Sequence, residues 1–219
     1  MTSLEFRGRL ARRTRRAKAP IALGMLQPLE AYFELLTHWN AKINLTALPL
    51  DPPTDETFDR LLVEPLAAAK QIPTHTPSIW LDLGSGGGSP AIPLKIARPA
   101  LKLTMVESKE RKGAFLREAV RALGLVDALV ETDRYEVVAA KSTFAHSADF
   151  VTVRAVRTDD QLFESAAQML KNGGQLLMFR PSHSPNPDPV GFKRVATVQL
   201  LDVPQSFLTV YRRVFHVEQ

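Results

Sequence analysis

Apolar and polar positions along the chain follow two different periods. Leu29, Tyr32, Phe33, Leu36, Trp39 and Ile43 recur at helical spacing and predict an amphipathic helix of about four turns. A second helical stretch covers residues 57–72, with Phe58, Leu61, Leu62, Leu66 and Ala69 on its apolar face. Pro65 should kink or split it, because proline has no N–H to give the preceding turn. Residues 73–78 read as a linker, and beyond them the period changes. Short apolar runs at 79–83, 101–106, 128–132, 149–153 and 175–179 have the length of strands buried on both faces. Helical stretches lie between them, at about 90–97, 109–124 and 161–170. In the second of these Phe115, Leu116, Ala119, Val120 and Leu123 point inward, while Lys109, Arg111, Lys112, Arg117 and Arg121 form a solvated face. Two further runs, 195–201 and 207–215, predict an antiparallel sheet edge. Strands alternating with helices give a doubly wound α/β fold: a seven-stranded, mostly parallel sheet with helices on both faces and an N-terminal helical extension. The expected divisions are a basic arm over 1–20, a helical segment over 21–77 and the sheet domain over 78–219.

The chemistry concentrates in residues 78–107. The first apolar run carries one acid, Asp82, near its end, and Gly84, Gly86, Gly87 and Gly88 follow, with Ser85 after the first glycine. Glycines let a backbone turn sharply and let a ligand approach the main chain. Ser89 is placed to cap the next helix and Pro90 to occupy its first position. The second run ends at Glu107, where an acid can accept hydrogen bonds from a ribose. The pattern D-x-G-x-G-x-G differs from the G-x-G-x-x-G of dinucleotide sites. An acid two residues ahead of the first glycine suits a ligand bearing an amino group, such as S-adenosylmethionine (SAM), better than the pyrophosphate of NAD or FAD. A glycine turn without any ligand is the plainer alternative.

Charge changes the picture at one end only. The net charge is +5 over 219 residues, yet residues 1–20 hold seven basic side chains against Glu5 alone. The arm therefore carries +6 and the remaining chain −1. Such an arm, flexible or weakly helical, is either a phosphate-binding tail for nucleic acid or a solvated end. The chain has no cysteine, which excludes disulfides and thiolate metal sites. His38, His75, His146, His183 and His216 show no metal-ligand spacing, and no Ser-His-Asp arrangement is present. No apolar run approaches the ~18 residues of a membrane span, and the N-terminus lacks a secretory signal.

An ordered set of short motifs resembles the RsmG (GidB) family, the bacterial small-subunit ribosomal RNA guanine-N7 methyltransferases. Trp39-Asn40 with Asn44-Leu45-Thr46 is similar to the family's helical entry motif. Residues 81–88 with Pro90, Ile92 and Pro93 are similar to its SAM loop. Glu107, Lys112 and Phe115-Leu116, then Arg134-Tyr135-Glu136, then Arg154-Ala155 complete the set. The resemblance implies a Rossmann-like SAM-dependent methyltransferase fold. It also implies SAM as cofactor, no metal, and a guanine in the 530 loop of 16S rRNA, on the small ribosomal subunit, as target. A cytoplasmic monomer without membrane contact is expected. By position, Asp82, Gly84, Gly86, Gly88 and Ser89 line the cofactor loop, Glu107 holds the ribose, Tyr135 and Glu136 flank the adenine, and Arg154 lies in the pocket. Arg134 and Arg154 are the RNA-facing candidates, and Arg154 has an ion pair at the strand end as its plainer role. The two asparagines are expected to tie down a turn rather than do chemistry.

The sequence departs from the family pattern at Leu61 and Pro65, at Arg180-Pro181 and at Ser206. These departures leave open another RNA or a small molecule as acceptor, or a ribosome-binding factor without turnover. Guanine N7 has an in-plane lone pair and no proton, so the implied reaction needs positioning rather than a general base.

Overall fold

The computed structural model describes residues 1–72, 78–182 and 188–214. Residues 73–77 of the expected linker and residue 215 of the last expected strand lie outside the described residues, as do residues 183–187. The chain begins with α1 (Ser3–Arg16), α2 (Leu26–Asn40) and α3 (Asp55–Phe58). A wide π-turn (Asp59–Val63) and the short α4 (Glu64–Ala68) follow. The strands are β1 (Ile79–Leu83), β2 (Lys102–Val106), β3 (Ala128–Glu131), β4 (Ala148–Arg154), β5 (Leu170–Arg180), β6 (Phe192–Leu201) and β7 (Ser206–Arg213). Between them run α5 (Ala91–Ala97), α6 (Glu110–Ala122), α7 (Tyr135–Ala140) and α8 (Asp160–Met169).

The sheet order is β3-β2-β1-β4-β5-β7-β6. The first five strands pair in parallel, β7 runs antiparallel to β5, and β6 antiparallel to β7. This is the predicted doubly wound sheet with its antiparallel edge. The strand order reverses between β1 and β4, which places a crevice at the carboxyl ends of those strands. Apolar side chains fill both faces. One layer joins α1, α2, α4, α5 and α6 to Trp80, Leu103, Met105 and Phe150. The other packs Val138, Leu162, Ala166 and Met169 of α7 and α8 against Leu81, Leu83, Val151 and Val153.

Four local expectations are corrected. Residues 1–20 are not a flexible arm: α1 opens with a capping box between Thr2 and Glu5 and buries Phe6 and Leu10. Phe6 sits 5.4 Å from Phe33 and 5.2 Å from Phe58, ring centroid to centroid. Acids outside the helix hold its inward arginines: Arg7 to Glu30, Arg9 to Asp55, and Arg13 to Asp55 and Asp59. Second, the stretch 57–72 is split as expected, but the break lies ahead of Pro65, in the π-turn. The N–H of Glu64 reaches back to the Asp59 carbonyl, and Pro65 has no N–H to offer Leu61. The carbonyls of Arg60 and Leu61 are thereby released from the helix. Third, α5 starts at Ala91, and Ser89 does not cap it; its hydroxyl donates to the freed Leu61 carbonyl at 2.8 Å. Fourth, β5 extends back through Asn172-Gly173-Gly174 to Leu170, where the expected helix ends, and residues 135–140, for which no element is expected, form α7.

Docking of α1 gives a direct prediction. Phe6→Ala empties the centre of the Phe6–Phe33–Phe58 cluster and lowers unfolding stability by about 3 kcal/mol. Urea denaturation measures it. An unchanged midpoint would mean that α1 does not pack on the body in solution.

Candidate cofactor and substrate site

The loop between β1 and α5 lies at the reversal of strand order. Its backbone is held from three sides. Glu107, only 6% exposed, accepts the Gly86 N–H through Oε2 and the Lys109 N–H through Oε1, each at 2.8 Å. Tyr32 of α2, fully buried, donates its hydroxyl to the Gly87 carbonyl at 2.7 Å. Burial pushes that phenol above its ordinary range, so it remains a donor. Arg154, at the end of β4, donates through Nη2 to the Ser89 carbonyl at 2.7 Å. Its Nη1 reaches the freed Arg60 carbonyl at 2.6 Å and lies 3.4 Å from Glu64 Oε2.

The glycines divide by what surrounds them. At Gly86, with φ of +53°, an added Cβ would meet nothing nearer than 3.7 Å, so the space beside it is open. At Gly88, with φ of +84°, the same atom would lie 2.5 Å from Ile92 Cδ1. Gly86 leaves room for a ligand, whereas Gly88 permits α5 to pack close.

Asp82 is 1% exposed. Its Oδ1 accepts from the Thr152 hydroxyl, which in turn accepts from Trp80 Nε1 at 2.8 Å. Its Oδ2 has no hydrogen-bond partner among the described residues. Burial, opposed by the hydrogen bond from Thr152, pushes its pKa up to about 6. A buried carboxylate with one oxygen unanswered, two residues ahead of a glycine loop with open space at Gly86, fits an ammonium group. Glu107, at the tip of the neighbouring strand, fits ribose hydroxyls with its remaining lone pairs. The residues present therefore fit SAM.

Two hollows adjoin the residues that hold the loop. One, about 450 Å³, is lined by Ser108, Lys109, Glu110, Thr132, Asp133, Arg134, Tyr135 and Glu136. It brings Arg134, Tyr135 and Glu136 together beside the Glu107 turn, and Glu136 Oε2 is buried there without a partner among the described residues. The other, about 400 Å³, is lined chiefly by Thr46, Leu48, Arg60, Leu61, Glu64, Arg154, Phe179, Arg180 and Pro181. Arg154 reaches both this cleft and the loop. Its guanidinium is largely engaged by protein carbonyls, nearer to the expected strand-end role than to a free ligand contact. Ser206 is buried away from either hollow's lining, and its hydroxyl has no partner among the described residues.

Sequence reasoning missed Tyr32, Thr152 and Glu64. Tyr32 was hidden in an apolar stripe, and only its hydroxyl could have signalled a polar task. Asn40 behaves as expected: its side-chain oxygen accepts the N–H groups of Leu45 at 2.9 Å and Thr46 at 3.0 Å, tying the turn beside Gly87. Among the described residues, no cluster of three or more His, Asp or Glu side chains could hold a metal, and no helix is long and apolar enough to cross a membrane.

Two glycine substitutions separate the roles. Gly86→Val fills the open space and abolishes SAM binding, with about 1–2 kcal/mol lost from backbone strain. Gly88→Val collides with Ile92 and costs about 2–5 kcal/mol of stability. Calorimetric titration with SAM and thermal melts check both. Unchanged SAM affinity in Gly86→Val would refute the loop assignment.

Comparison with known proteins agrees with the geometry. A sequence model of the family GidB, rRNA small subunit methyltransferase G, matches residues 25–199. Ribosomal RNA small subunit methyltransferase G of Geobacillus thermodenitrificans is 34% identical over 173 residues, 79% of this chain and 71% of that protein. The protein of the same name from Xanthomonas campestris pv. campestris is 38% identical over 180 residues, 81% of this chain and 80% of that one. Among solved structures, a SAM-dependent methyltransferase from Aquifex aeolicus superposes with a TM-score of 0.57 at 16% identity. It covers 71% of this chain and 92% of its own. MtNAS in complex with MTA and tNA gives a TM-score of 0.61 at 15% identity, covering 88% and 72%. These structural likenesses establish the Rossmann-like methyltransferase fold. The sequence matches establish more: this chain belongs to the rRNA small subunit methyltransferase G family.

Proposed function

We propose that this SAM-dependent small-subunit rRNA methyltransferase transfers its methyl group to N7 of a guanine in the 530 loop of 16S rRNA. The observation that carries the reading is a buried unanswered carboxylate, Asp82, just ahead of the clasped glycine loop, together with a largely apolar cleft that shares Arg154 with that loop and is lined also by Arg60, Arg180, Glu56 and Glu64. The first fits the ammonium of SAM, and the second is large enough for an unstacked base. Arg60 and Arg180 line that cleft and favour an anionic polymer. The chain works as a cytoplasmic monomer on this reading.

When bound, SAM supplies a methyl on a sulfonium, so the N7–C bond forms as the S–C bond breaks and the sulfonium becomes a neutral thioether. Guanine N7 has no proton to lose, and no residue is asked to act as a base. Asp82 fixes the amino-acid end through its charge, and Glu107 fixes the ribose while holding Gly86 in place. Tyr135 and Glu136 flank the adenine. Arg154, locked to the Ser89 and Arg60 carbonyls, sets the wall between cofactor and cleft, so that donor and acceptor meet in line. The target base has to leave its stack to enter the cleft.

Leu61, Arg180 and Pro181, positions at which the sequence departs from the family pattern, all line the cleft. That observation favours one second reading, the same chemistry on a different RNA position. Labelled SAM, offered small ribosomal subunits from a strain lacking this N7 methylation, decides between them. Label as 7-methylguanine at one site in the 530 loop is expected. Label elsewhere would keep the chemistry and discard the target, and no transfer to any RNA would overturn the proposal.

The raised pKa of Asp82 predicts a pH dependence. Below about pH 6 the unliganded carboxyl is protonated and has no charge to offer an ammonium. SAM affinity therefore falls with acidification, by up to about tenfold between pH 7 and pH 5. Asp82→Asn should bind weakly at both pH values and lose the slope. Titrations across that range check the sign.

A further inference from the structure

The arginines of α1 sort into two sets, and only one set has work inside the protein. Arg7, Arg9 and Arg13 are paired with Glu30, Asp55 and Asp59. Arg12, Arg15 and Arg16 have no hydrogen bond or ion pair among the described residues and are exposed. Phe6, Leu10 and Thr14 mark the buried stripe, and at 100° per residue Arg12 and Arg15 fall on the opposite side. Charges in a last helical turn favour the helix dipole, but one basic residue there suffices for that, and three unpaired guanidiniums within five positions repel one another.

Their place in the fold gives them a use. Arg13 grips Asp59 in the π-turn, and the next residue, Arg60, lines the cleft. Arg16 and Lys18 line a separate hollow of about 170 Å³, closed by Leu200, Leu201, Asp202 and Val203 before β7. Phe207 of β7 pairs with Arg180, the last residue of β5, so this turn lies at the same edge of the sheet as the cleft. Through Arg13 and Asp59, α1 is thus tied to the turn that carries Arg60 into the proposed base-binding cleft. Residues 1–24 precede the segment matched by the family model, so the match itself says nothing of this face.

We propose that Arg12, Arg15 and Arg16, with Lys18, form a phosphate-gripping surface for the rRNA strand that flanks the target base. The surface anchors substrate and takes no part in methyl transfer. The inference rests on the rRNA reading above and adds to it where the RNA backbone lies.

Deleting α1 would remove Phe6 and Leu10 from the core, so the test uses substitutions in the full chain. The variant Arg12→Gln/Arg15→Gln/Arg16→Gln is compared with the wild type, with the matching triple lysine variant and with the single Arg15→Glu. Three readouts are taken: SAM affinity, KM and kcat on small subunits or 16S rRNA, and filter binding of unmethylated 16S rRNA against salt. The glutamine variant should raise KM about tenfold or more with kcat and SAM affinity unchanged. Its log–log salt slope should be shallower by about 2–3, the loss of roughly three phosphate contacts. Arg15→Glu should shift KM in the same direction, and the lysine variant should restore most of the binding. An unchanged KM and salt slope would overturn the proposal, as would a lost kcat with unchanged rRNA binding. Filter binding needs no turnover. A wild type that binds rRNA through this face yet methylates nothing would fail the function reading while sustaining the surface.

Discussion

A loop of glycines has almost no side chains with which to set its own shape, so the site depends on hydrogen bonds delivered to its backbone. Three elements deliver them: Glu107 after β2 to the Gly86 N–H, Tyr32 of α2 to the Gly87 carbonyl, and Arg154 of β4 to the Ser89 carbonyl. Two of the three come from charged groups, whose hydrogen bonds contribute about 1.5–3 kcal/mol rather than the ~1 kcal/mol of neutral ones. The helical extension therefore helps to set the shape of the loop. Tyr32 and the Asn40-tied turn press on Gly87 from one side, while the sheet holds the loop from the other.

The π-turn follows the same logic. Broken helical bonding at Asp59–Val63 and the imino nitrogen of Pro65 free two carbonyls that would otherwise be buried and unsatisfied. Arg154 answers one and Ser89 the other. A departure from the family sequence pattern at Pro65 is thus matched by the hydroxyl of Ser89, and the two positions form one local solution linking α4's entry to the glycine loop. Glu64, 1% exposed and shared by Arg60 and Arg154, neutralises the charge this arrangement brings inside. Removing either arginine would leave a buried carboxylate short of partners, a change that costs several kcal/mol in comparable settings.

Much of this was readable along the chain because it is local. The acid–glycine–acid spacing, the strand and helix alternation and the antiparallel edge are all encoded within windows of about 30 residues. The clasp is not local: Tyr32 reaches across 55 positions and Arg154 across 65. An apolar stripe conceals a tyrosine hydroxyl, and a basic residue after a strand looks the same whether it faces ligand or backbone. The arm misled for a related reason. Counting charge over residues 1–20 shows an excess, but the acids that pair with Arg7, Arg9 and Arg13 are supplied by Glu30, Asp55 and Asp59, beyond the window. Ser89 looked like a helix cap because Ser-Pro commonly starts one, and only the freed Leu61 carbonyl redirects it.

The central claim is that the loop, already clasped, receives SAM between Asp82 and the Tyr135–Glu136 hollow and leaves the Arg60–Arg180 cleft for the base. A crystal structure of the chain with S-adenosylhomocysteine tests it most directly. The account predicts the ligand's ammonium within hydrogen-bond reach of Asp82 Oδ2, its ribose on Glu107 and its adenine beside Tyr135 and Glu136. The Tyr32–Gly87 and Arg154–Ser89 bonds should remain intact. A ligand seated in the Arg60–Arg180 cleft, or one that leaves Asp82 Oδ2 unpartnered, would contradict it.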